Sequence, residues 1–320
     1  MKTKIKYYIV PLLVLVLFFS YLGRDLSVEE YVKEKNFDYG QLLFPILKDN
    51  NGSIYYGYFD VLGNNLVYTI FNSQKEKILE DNLKLNNVYL KGNHLFIDDK
   101  NITKKNGYFK IKDIEISIED QDKVFWWNKG KNKIGGDPYF DSFFGYDNIV
   151  TITLKTNDLN LSGLGLYEVI AGDFSKFHAW ENENFIFFDS PEVSGILLEY
   201  DKYKDGVIFF KESDRYDIEN FTVEHQYNSE GVPEKTKLIV HLKSGKLILN
   251  FASIGFYSAY NVVSSFYSSF GFSYPPIEVI SEIESGKLEL DNTILNISNG
   301  YGQLETLRNQ KYHLMKEKLT

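Results

Sequence analysis

From Ser53 onward, apolar and polar residues alternate in short runs that are separated by glycine-containing turns. The turn signals join Gly to Asn, Asp or Ser, as at Gly92-Asn93, Asn106-Gly107 and Ser285-Gly286. Apolar side chains at every second position, with turns of this kind, are typical of antiparallel strands that bury one face. The sequence therefore predicts a mainly β chain of antiparallel sheets with a few helices, within the α+β class.

The clearest predicted hairpin extends from Leu238 to Phe251. If Ser244-Gly245 is its two-residue turn, the apolar side chains of both strands share one face. Burial of that face would fix the register, because a slip of one residue moves every apolar side chain to the wet side. The predicted pairs are Leu242 with Leu247, Val240 with Leu249 and Leu238 with Phe251.

The segment after this hairpin changes to helical spacing. Ser253 is a predicted N-cap and Gly271 a predicted end. The opposite face is rich in serine and uncharged, which suits packing against a second domain, a partner subunit, a membrane surface or the rest of the same domain. The apolar residues that define the helix are Phe256, Tyr260, Val263, Tyr267 and Phe270.

A weaker helix is predicted at the end of the chain, around Leu304, Leu307 and Leu314. The order of strands, a Ser-Gly turn, a further strand and an amphipathic helix, over the last third of the chain, is similar to the end of a pleckstrin-homology-like domain. This resemblance rests on the pattern of elements, without a diagnostic residue. It implies a hairpin against which a closing helix packs.

The N-terminus carries a membrane-directed pattern. Three lysines precede an unbroken apolar run over 7–22, and mixed charges follow it. The run is slightly shorter than the ~20 residues of a membrane helix and longer than the ~7–15 residues of a signal core, and large side chains such as Tyr21 and Leu22 crowd its end. A retained signal-anchor is expected, with the N-terminus cytoplasmic and the body extracytoplasmic. The alternative is a cleaved signal and secretion.

The same patterns divide the chain into five parts. Ser27 and Glu30 form a capping box that begins a short helix after the membrane segment. The predicted parts are a cytoplasmic tail (1–6), a transmembrane signal-anchor (7–22), a juxtamembrane spacer with the short helix (23–52), a β-rich exterior subdomain (53–190), and an exterior subdomain of β-hairpin plus helix (191–320).

Composition excludes several classes of protein. The absence of cysteine removes disulfides, thiolate zinc sites, cysteine nucleophiles and lipid attachment through cysteine. The net charge of -9 makes nucleic acid a poor partner. Lysine greatly outnumbers arginine, and Asn, Ile, Tyr and Phe are abundant, which is typical of a low-GC bacterium. The predicted partners are the membrane, through 7–22, and an envelope protein or glycan.

A long stretch without periodicity, 128–148, contains the candidate ligand-binding residues. Long loops are often functional, and aromatic rings beside carboxylates suit a sugar or peptide. Two such carboxylates ~5–9 Å apart would suit glycoside cleavage, whereas a loop folded onto the sheet would be the structural alternative. The candidate residues are Asp137, Tyr139, Asp141, Phe143, Phe144, Tyr146 and Asp147.

Other polar residues favour structural roles. His225 shares the face of Phe221 and Val223 on its strand and is predicted to be a core histidine with its hydrogen bonds satisfied, whereas His241 is predicted to face solvent or a neighbouring layer. The carboxylates near His178 have no spacing that indicates a metal ligand set. No metal site and no cofactor are predicted, and no motif of a large enzyme class is present.

The leading hypothesis is therefore a membrane-anchored extracytoplasmic protein whose body binds an envelope component without catalysis. An envelope polysaccharide hydrolase that uses Asp137, Asp141 or Asp147 is the first alternative. A peripheral lipid-contacting module, with the aromatic side of the helix from Phe256 to Phe270 exposed, is the second.

Overall fold

The computed structural model describes residues 27–35, 38–98, 100–101, 107–127, 143–172, 183–200, 203–210, 214–258, 277–290 and 293–306. These ranges contain one helix and twenty strands, and every strand pairing is antiparallel, which confirms the predicted mainly β class. In chain order the elements are α1 (Val28–Lys35), β1 (Asp38–Lys48), β2 (Ile54–Leu62), β3 (Asn65–Asn72), β4 (Lys77–Lys84), β5 (Val88–Lys91), β6 (His94–Ile97), β7 (Lys100–Asn101), β8 (Gly107–Ile111), β9 (Ile114–Trp127), β10 (Phe143–Lys155), β11 (Asn160–Gly172), β12 (Glu183–Asp189), β13 (Val193–Tyr200), β14 (Tyr203–Phe210), β15 (Asp214–Tyr227), β16 (Pro233–Leu242), β17 (Gly245–Ser258), β18 (Ile277–Leu290), β19 (Thr293–Ile297) and β20 (Tyr301–Thr306).

The first large sheet has eight strands in the order β4-β3-β2-β1-β11-β10-β9-β8. A small sheet, β5-β6-β7, packs on its inner face, where Leu90, Leu95 and Ile97 join the apolar side chains of the large sheet. Residues 38–48, which precede the predicted onset of the sheet, form the strand β1 between β2 and β11. The long apolar run of β1 fits this central position, because the strand is covered on both faces.

Helix α1 begins with the predicted capping box. The Glu30 carboxylate accepts a hydrogen bond from the Ser27 backbone N–H at 3.1 Å, and the Ser27 hydroxyl accepts one from the Glu30 N–H at 3.4 Å. Val28 and Val32 are buried in the core of the first sheet, and the Val28 N–H donates to the Asn93 side chain at 2.8 Å. The helix therefore packs against the first sheet at the turn between β5 and β6.

The second large sheet closes on itself. Its strands follow the order β17-β16-β15-β14-β13-β12-β20-β18, β17 also pairs with β18, and β19 pairs with β18 outside the ring. The inside is filled by apolar side chains, among them the six of the predicted hairpin, all of which are buried. A ring of eight strands is narrow enough for side chains to fill it.

The hairpin β16–β17 confirms the predicted face and corrects the predicted pairs. Its turn residues are Lys243 and Ser244, because Leu242 lies opposite Gly245. The observed pairs are Val240 with Leu247, Leu238 with Leu249 and Thr236 with Phe251. The predicted register was wrong by two residues along one strand, a shift that keeps every side chain on the same face.

The two helices predicted near the C-terminus are contradicted where the chain is described. Ser253, the predicted N-cap, and Phe256 lie within β17, and Leu304 lies within β20. Both strands pair on both sides, so ladder hydrogen bonds replace helical ones. The rest of these predicted helices, 259–276 and 307–320, lies outside the described residues, and the described part gives no support for a pleckstrin-homology-like end.

The predicted membrane segment, 7–22, also lies outside the described residues. Within the described ranges, no helix combines the length and the apolar character that crossing a membrane requires.

The outer faces of the two large sheets pack against each other. Aromatic and aliphatic side chains from both sheets form a third core there. Gly255 of β17 lies so close to the Tyr56 ring of β2 that a Cβ atom at this position would be 2.5 Å from it. The Tyr257 hydroxyl donates to the Gly57 carbonyl at 3.1 Å, and the Arg215 guanidinium donates to the Val124 carbonyl at 3.1 Å. These contacts hold the sheets face to face.

Candidate functional site

The structure separates the sequence-predicted ligand residues. Asp137, Tyr139 and Asp141 lie outside the described residues, and Phe143 is the first residue of β10. Phe144 and Tyr146 are buried in the core of the first sheet, where the Trp126 ring lies 6.0 Å and 4.9 Å from their ring centres. Asp147 points to the opposite face of β10, toward the second sheet, with Ile149. Phe144 and Tyr146 therefore pack in the fold, and Asp147 is a separate feature.

Asp147 belongs to two facing rows of carboxyl groups between the large sheets. On the first sheet, Asp147 lies directly opposite Glu168 of β11, and Asp60 of β2 lies two strands further along the same row. On the second sheet, Glu278 of β18 lies opposite Glu305 of β20. The charges of Glu278 and Glu305 act on Glu168, which places the two rows face to face.

Burial raises the pKa of Asp147, Glu168 and Asp60 well above the ordinary values for carboxyl groups. For Glu168, the negative charges of Asp147, Glu305 and Glu278 raise it further. Neither carboxyl oxygen of Asp60 has a hydrogen-bond partner among the described residues, whereas contacts with Glu168 and Trp127 lower the pKa of Asp147 and only partly offset the effect of its burial. Burial therefore favours the neutral, protonated form of each of these groups, since an ionised carboxylate is costly to bury.

A protonated carboxyl group can donate a proton to a substrate. The described residues, however, leave no opening through which a substrate could reach Asp147, Glu168 or Asp60. Asp147 is 0% exposed and Asp60 is 1% exposed. In the described part of the chain, no group of three or more His, Asp or Glu side chains is arranged to hold a metal ion. A sequence signal for this feature existed: each carboxylate stands alone in an apolar strand, as Asp147 and Glu168 do in β10 and β11.

A cleft opens where the two large sheets meet at their edge, and its lining includes none of these carboxyl groups. Its volume is about 430 Å³. The ends of β1 and β11 and the bulged part of β9 form one wall, and the turn between β12 and β13 with the start of β20 forms the other. Pockets of ~300–1,000 Å³ between packed units are typical of small-molecule sites. We call this feature the inter-sheet cleft.

One ion pair crosses the inter-sheet cleft. The Lys123 ammonium of β9 donates to the Asp189 carboxylate and to the Ser194 hydroxyl, each at 2.8 Å, and the Ser194 hydroxyl donates to Asp189. A serine beside a lysine can be a nucleophile and its base, but an ammonium group has no lone pair to take a proton. The arrangement therefore ties β9 to the β12–β13 hairpin and does not activate Ser194.

Two further charged side chains line the cleft without an opposite charge. The Lys48 ammonium lies 4.3 Å from the centre of the Tyr301 ring, a cation–π contact, and has no acidic partner among the described residues. The Glu192 Oε2 atom is buried and has no hydrogen-bond partner within the described ranges. Lys48 comes from the first sheet and Glu192 from the second, so the charges stand on opposite walls.

The histidine predictions are confirmed. His225 is largely buried: its Nδ1 accepts from the Thr236 hydroxyl at 2.8 Å and its Nε2 donates to the Asn184 side-chain oxygen at 3.2 Å, in the tautomer that satisfies both partners. Burial lowers the pKa of His225 to about 4. The ring is therefore neutral, with both nitrogens in use. His241 is exposed on β16.

Comparisons with known proteins identify the fold alone. No family model and no curated protein matches the sequence. Among solved structures, an AttH candidate from Nitrosomonas europaea aligns with a TM-score of 0.51 and 8% identity, over 88% of this chain and 97% of that chain. Kievitone hydratase from Nectria haematococca aligns with a TM-score of 0.48 and 10% identity, over 84% of this chain and 89% of that chain. CghA with Sch210972 aligns with a TM-score of 0.45 and 8% identity, over 84% of this chain and 88% of that chain. The first of these alignments shows that the chain shares its fold with a solved protein over 88% of its length.

Proposed function

We propose that this protein is a membrane-anchored, extracytoplasmic binding module of a bacterial envelope, which holds a small polar ligand in the inter-sheet cleft without transforming it. The observation that carries the proposal is the cleft itself: about 430 Å³ of space lined by charged and amide side chains and by the Tyr301 ring. The segment 7–22 is the proposed tether.

The described residues that line the cleft include no side chain with an activating partner, which supports binding over catalysis. Lys123 is occupied by Asp189. Of the carboxylates in the hydrolase hypothesis, Asp147 is the one that lies in the described part of the chain, and it is 0% exposed. Glycoside cleavage needs two carboxyl groups that flank a bound sugar and that water can reach, which such burial does not favour.

A variant that fills the cleft tests the proposal. Ser162 is an exposed residue of β11 that lines the cleft, so Ser162→Trp would fill the space with an indole ring. Ser229→Trp, at an exposed turn outside the cleft, is the matched control. A library of sugars, amino acids and short peptides is screened by thermal shift with the full-length protein in detergent. Compounds that stabilise the wild type and the control but not Ser162→Trp would support the proposal. Equal stabilisation of all three proteins by every compound that binds, or no binding by any compound, would refute it.

The tether is tested separately by cell fractionation and surface proteolysis. We expect the full-length chain in the membrane fraction, with its C-terminal region removed when intact cells are treated with protease. Recovery of a mature chain that begins near Gly23 in the medium would replace the anchor with a cleaved signal. Protection of the C-terminal region would contradict the exterior position.

A further inference from the structure

The charges of the inter-sheet cleft divide into a satisfied pair and an unsatisfied pair. Lys123 and Asp189 neutralise each other across 2.8 Å. Lys48 and Glu192 are left, one positive and one negative, with no partner of opposite charge among the described residues. Both side chains line the same cleft, one on each wall, so a ligand that spans the cleft would meet both.

The pattern of these two charges selects among ligand types. A neutral sugar would leave both charges without a counter-charge, and a simple anion would leave the Glu192 carboxylate without one. A ligand with a carboxylate at one end and an ammonium group at the other would satisfy both, through charge-assisted hydrogen bonds. The amide side chains of Gln121 and Asn299 also line the cleft and can pair with a peptide group.

We propose that the ligand of the inter-sheet cleft is a small zwitterion, a free amino acid or a short peptide, with its carboxylate bound by Lys48 and its amine bound by Glu192. This inference rests on the proposed binding function. It names the ligand class for the same cleft and assigns opposite ends of the ligand to the two walls.

Blocked ligands and matched variants test each end separately. Free amino acids and dipeptides are first screened to find a binder. Titration calorimetry on the full-length protein in detergent then compares that binder with its N-acetylated form and its C-terminal amide. We expect each blocked form to bind about ten- to a hundred-fold more weakly, as is typical when one charge-assisted contact is lost.

The variants identify which residue binds which end. Lys48→Met should weaken binding of the free ligand by a similar factor but should not change the affinity for the C-terminal amide, which has no carboxylate. Glu192→Gln should likewise weaken binding of the free ligand but should not change the affinity for the N-acetylated form, which has no ammonium group. Lys84→Met and Glu219→Gln, at exposed positions outside the cleft, should change nothing.

Three results would overturn the zwitterion inference. These are equal affinity for free and blocked ligands, an equal loss for all ligand forms in Lys48→Met, and binding of neutral sugars but of no amino acid or dipeptide. If neutral sugars bind and Ser162→Trp abolishes that binding, the zwitterion inference fails but the proposed binding function of the cleft is supported. If no compound of any class binds at the cleft, both proposals fail.

Discussion

Replacing Asp147 by Asn should make the protein more stable at neutral pH. The side chain is 0% exposed and faces Glu168 across the β10–β11 ladder, and the effect of burial on its pKa outweighs that of its contacts with Glu168 and Trp127. Asn has nearly the same shape and carries no charge at any pH. Removal of a group that burial holds protonated should raise the free energy of unfolding by about 1.4 kcal/mol for each pH unit above the unfolded pKa of about 3.9, up to about 4 kcal/mol at pH 7.

The sign of the pH dependence follows from the direction of the pKa shift. Burial raises the pKa of Asp147, so between the unfolded value of about 3.9 and the raised value the folded protein holds a proton that the unfolded chain has lost. In that range the free energy of unfolding falls by about 1.4 kcal/mol per pH unit for each such proton as the pH rises. Glu168 contributes in the same direction. A plot of the free energy of unfolding against pH should therefore fall less steeply for Asp147→Asn than for the wild type, by about 1.4 kcal/mol per pH unit, and the two curves should meet near pH 4.

Urea unfolding at a series of pH values, followed by tryptophan fluorescence, measures this difference. Asp158→Asn, at an exposed turn, is the matched control and should follow the wild-type curve. If Asp147→Asn is less stable than the wild type at pH 7, or if the difference between them is the same at every pH, the carboxyl group is ionised and partnered in the fold, and the reasoning fails.

Two further substitutions test the packing between the sheets and the interior of the closed sheet. Phe187 is 0% exposed in the core between the large sheets, so Phe187→Ala should lower the free energy of unfolding by about 3–5 kcal/mol. Ile294 is 64% exposed, so the control Ile294→Ala should change it by no more than about 0.5 kcal/mol. Similar losses in both variants would show that the inter-sheet core does not stabilise the protein. Because burial lowers the pKa of His225 to about 4, the neutral ring contributes about 3 kcal/mol to the free energy of unfolding above pH 6.5, and this contribution is lost as the pH falls from 6.5 toward 4. NMR titration of the imidazole measures the pKa, and His225→Gln should lack this part of the acid sensitivity. A ring that titrates near pH 6.5 would contradict the burial argument.

The hairpin β16–β17 shows how far sequence patterns predict this fold. The alternation of apolar residues predicted which side chains enter the interior, because a period of two assigns a face. It did not predict the pairs, because turns at Ser244-Gly245 and at Lys243-Ser244 bury the same six side chains. The choice between the two turns depends on pairing with β15 and β18, which lie on either side of the hairpin.

The C-terminal end of β17 shows why a helix was predicted where a strand exists. Tyr257 faces the other large sheet and Phe256 faces the interior of the closed sheet, so both faces of the strand are apolar. When neither face of a strand is exposed to solvent, the two-residue alternation of polar and apolar residues disappears. Aromatic residues spaced three and four apart then look the same as the apolar face of a helix. Asp147 was placed in a loop for a similar reason: its strand, β10, begins at Phe143, directly after a stretch without periodicity.

The inter-sheet cleft was not predicted, because its residues are far apart in sequence. Lys48 ends β1, Glu192 lies in the turn after β12, and Tyr301 begins β20. Each is an ordinary residue in its own segment. Only the packing of one sheet on the other brings them together.

The closure of the second sheet also determines when this part of the chain can fold. Its first strand pairs with its last, with Asn184 opposite Thr306, so the ring is incomplete until residue 306 has emerged from the ribosome. Until then, the edges of β12 and β18 that β20 will cover are open to pairing with other chains. Contacts between such distant residues form slowly, and a nascent chain of this kind would depend on protection during its synthesis.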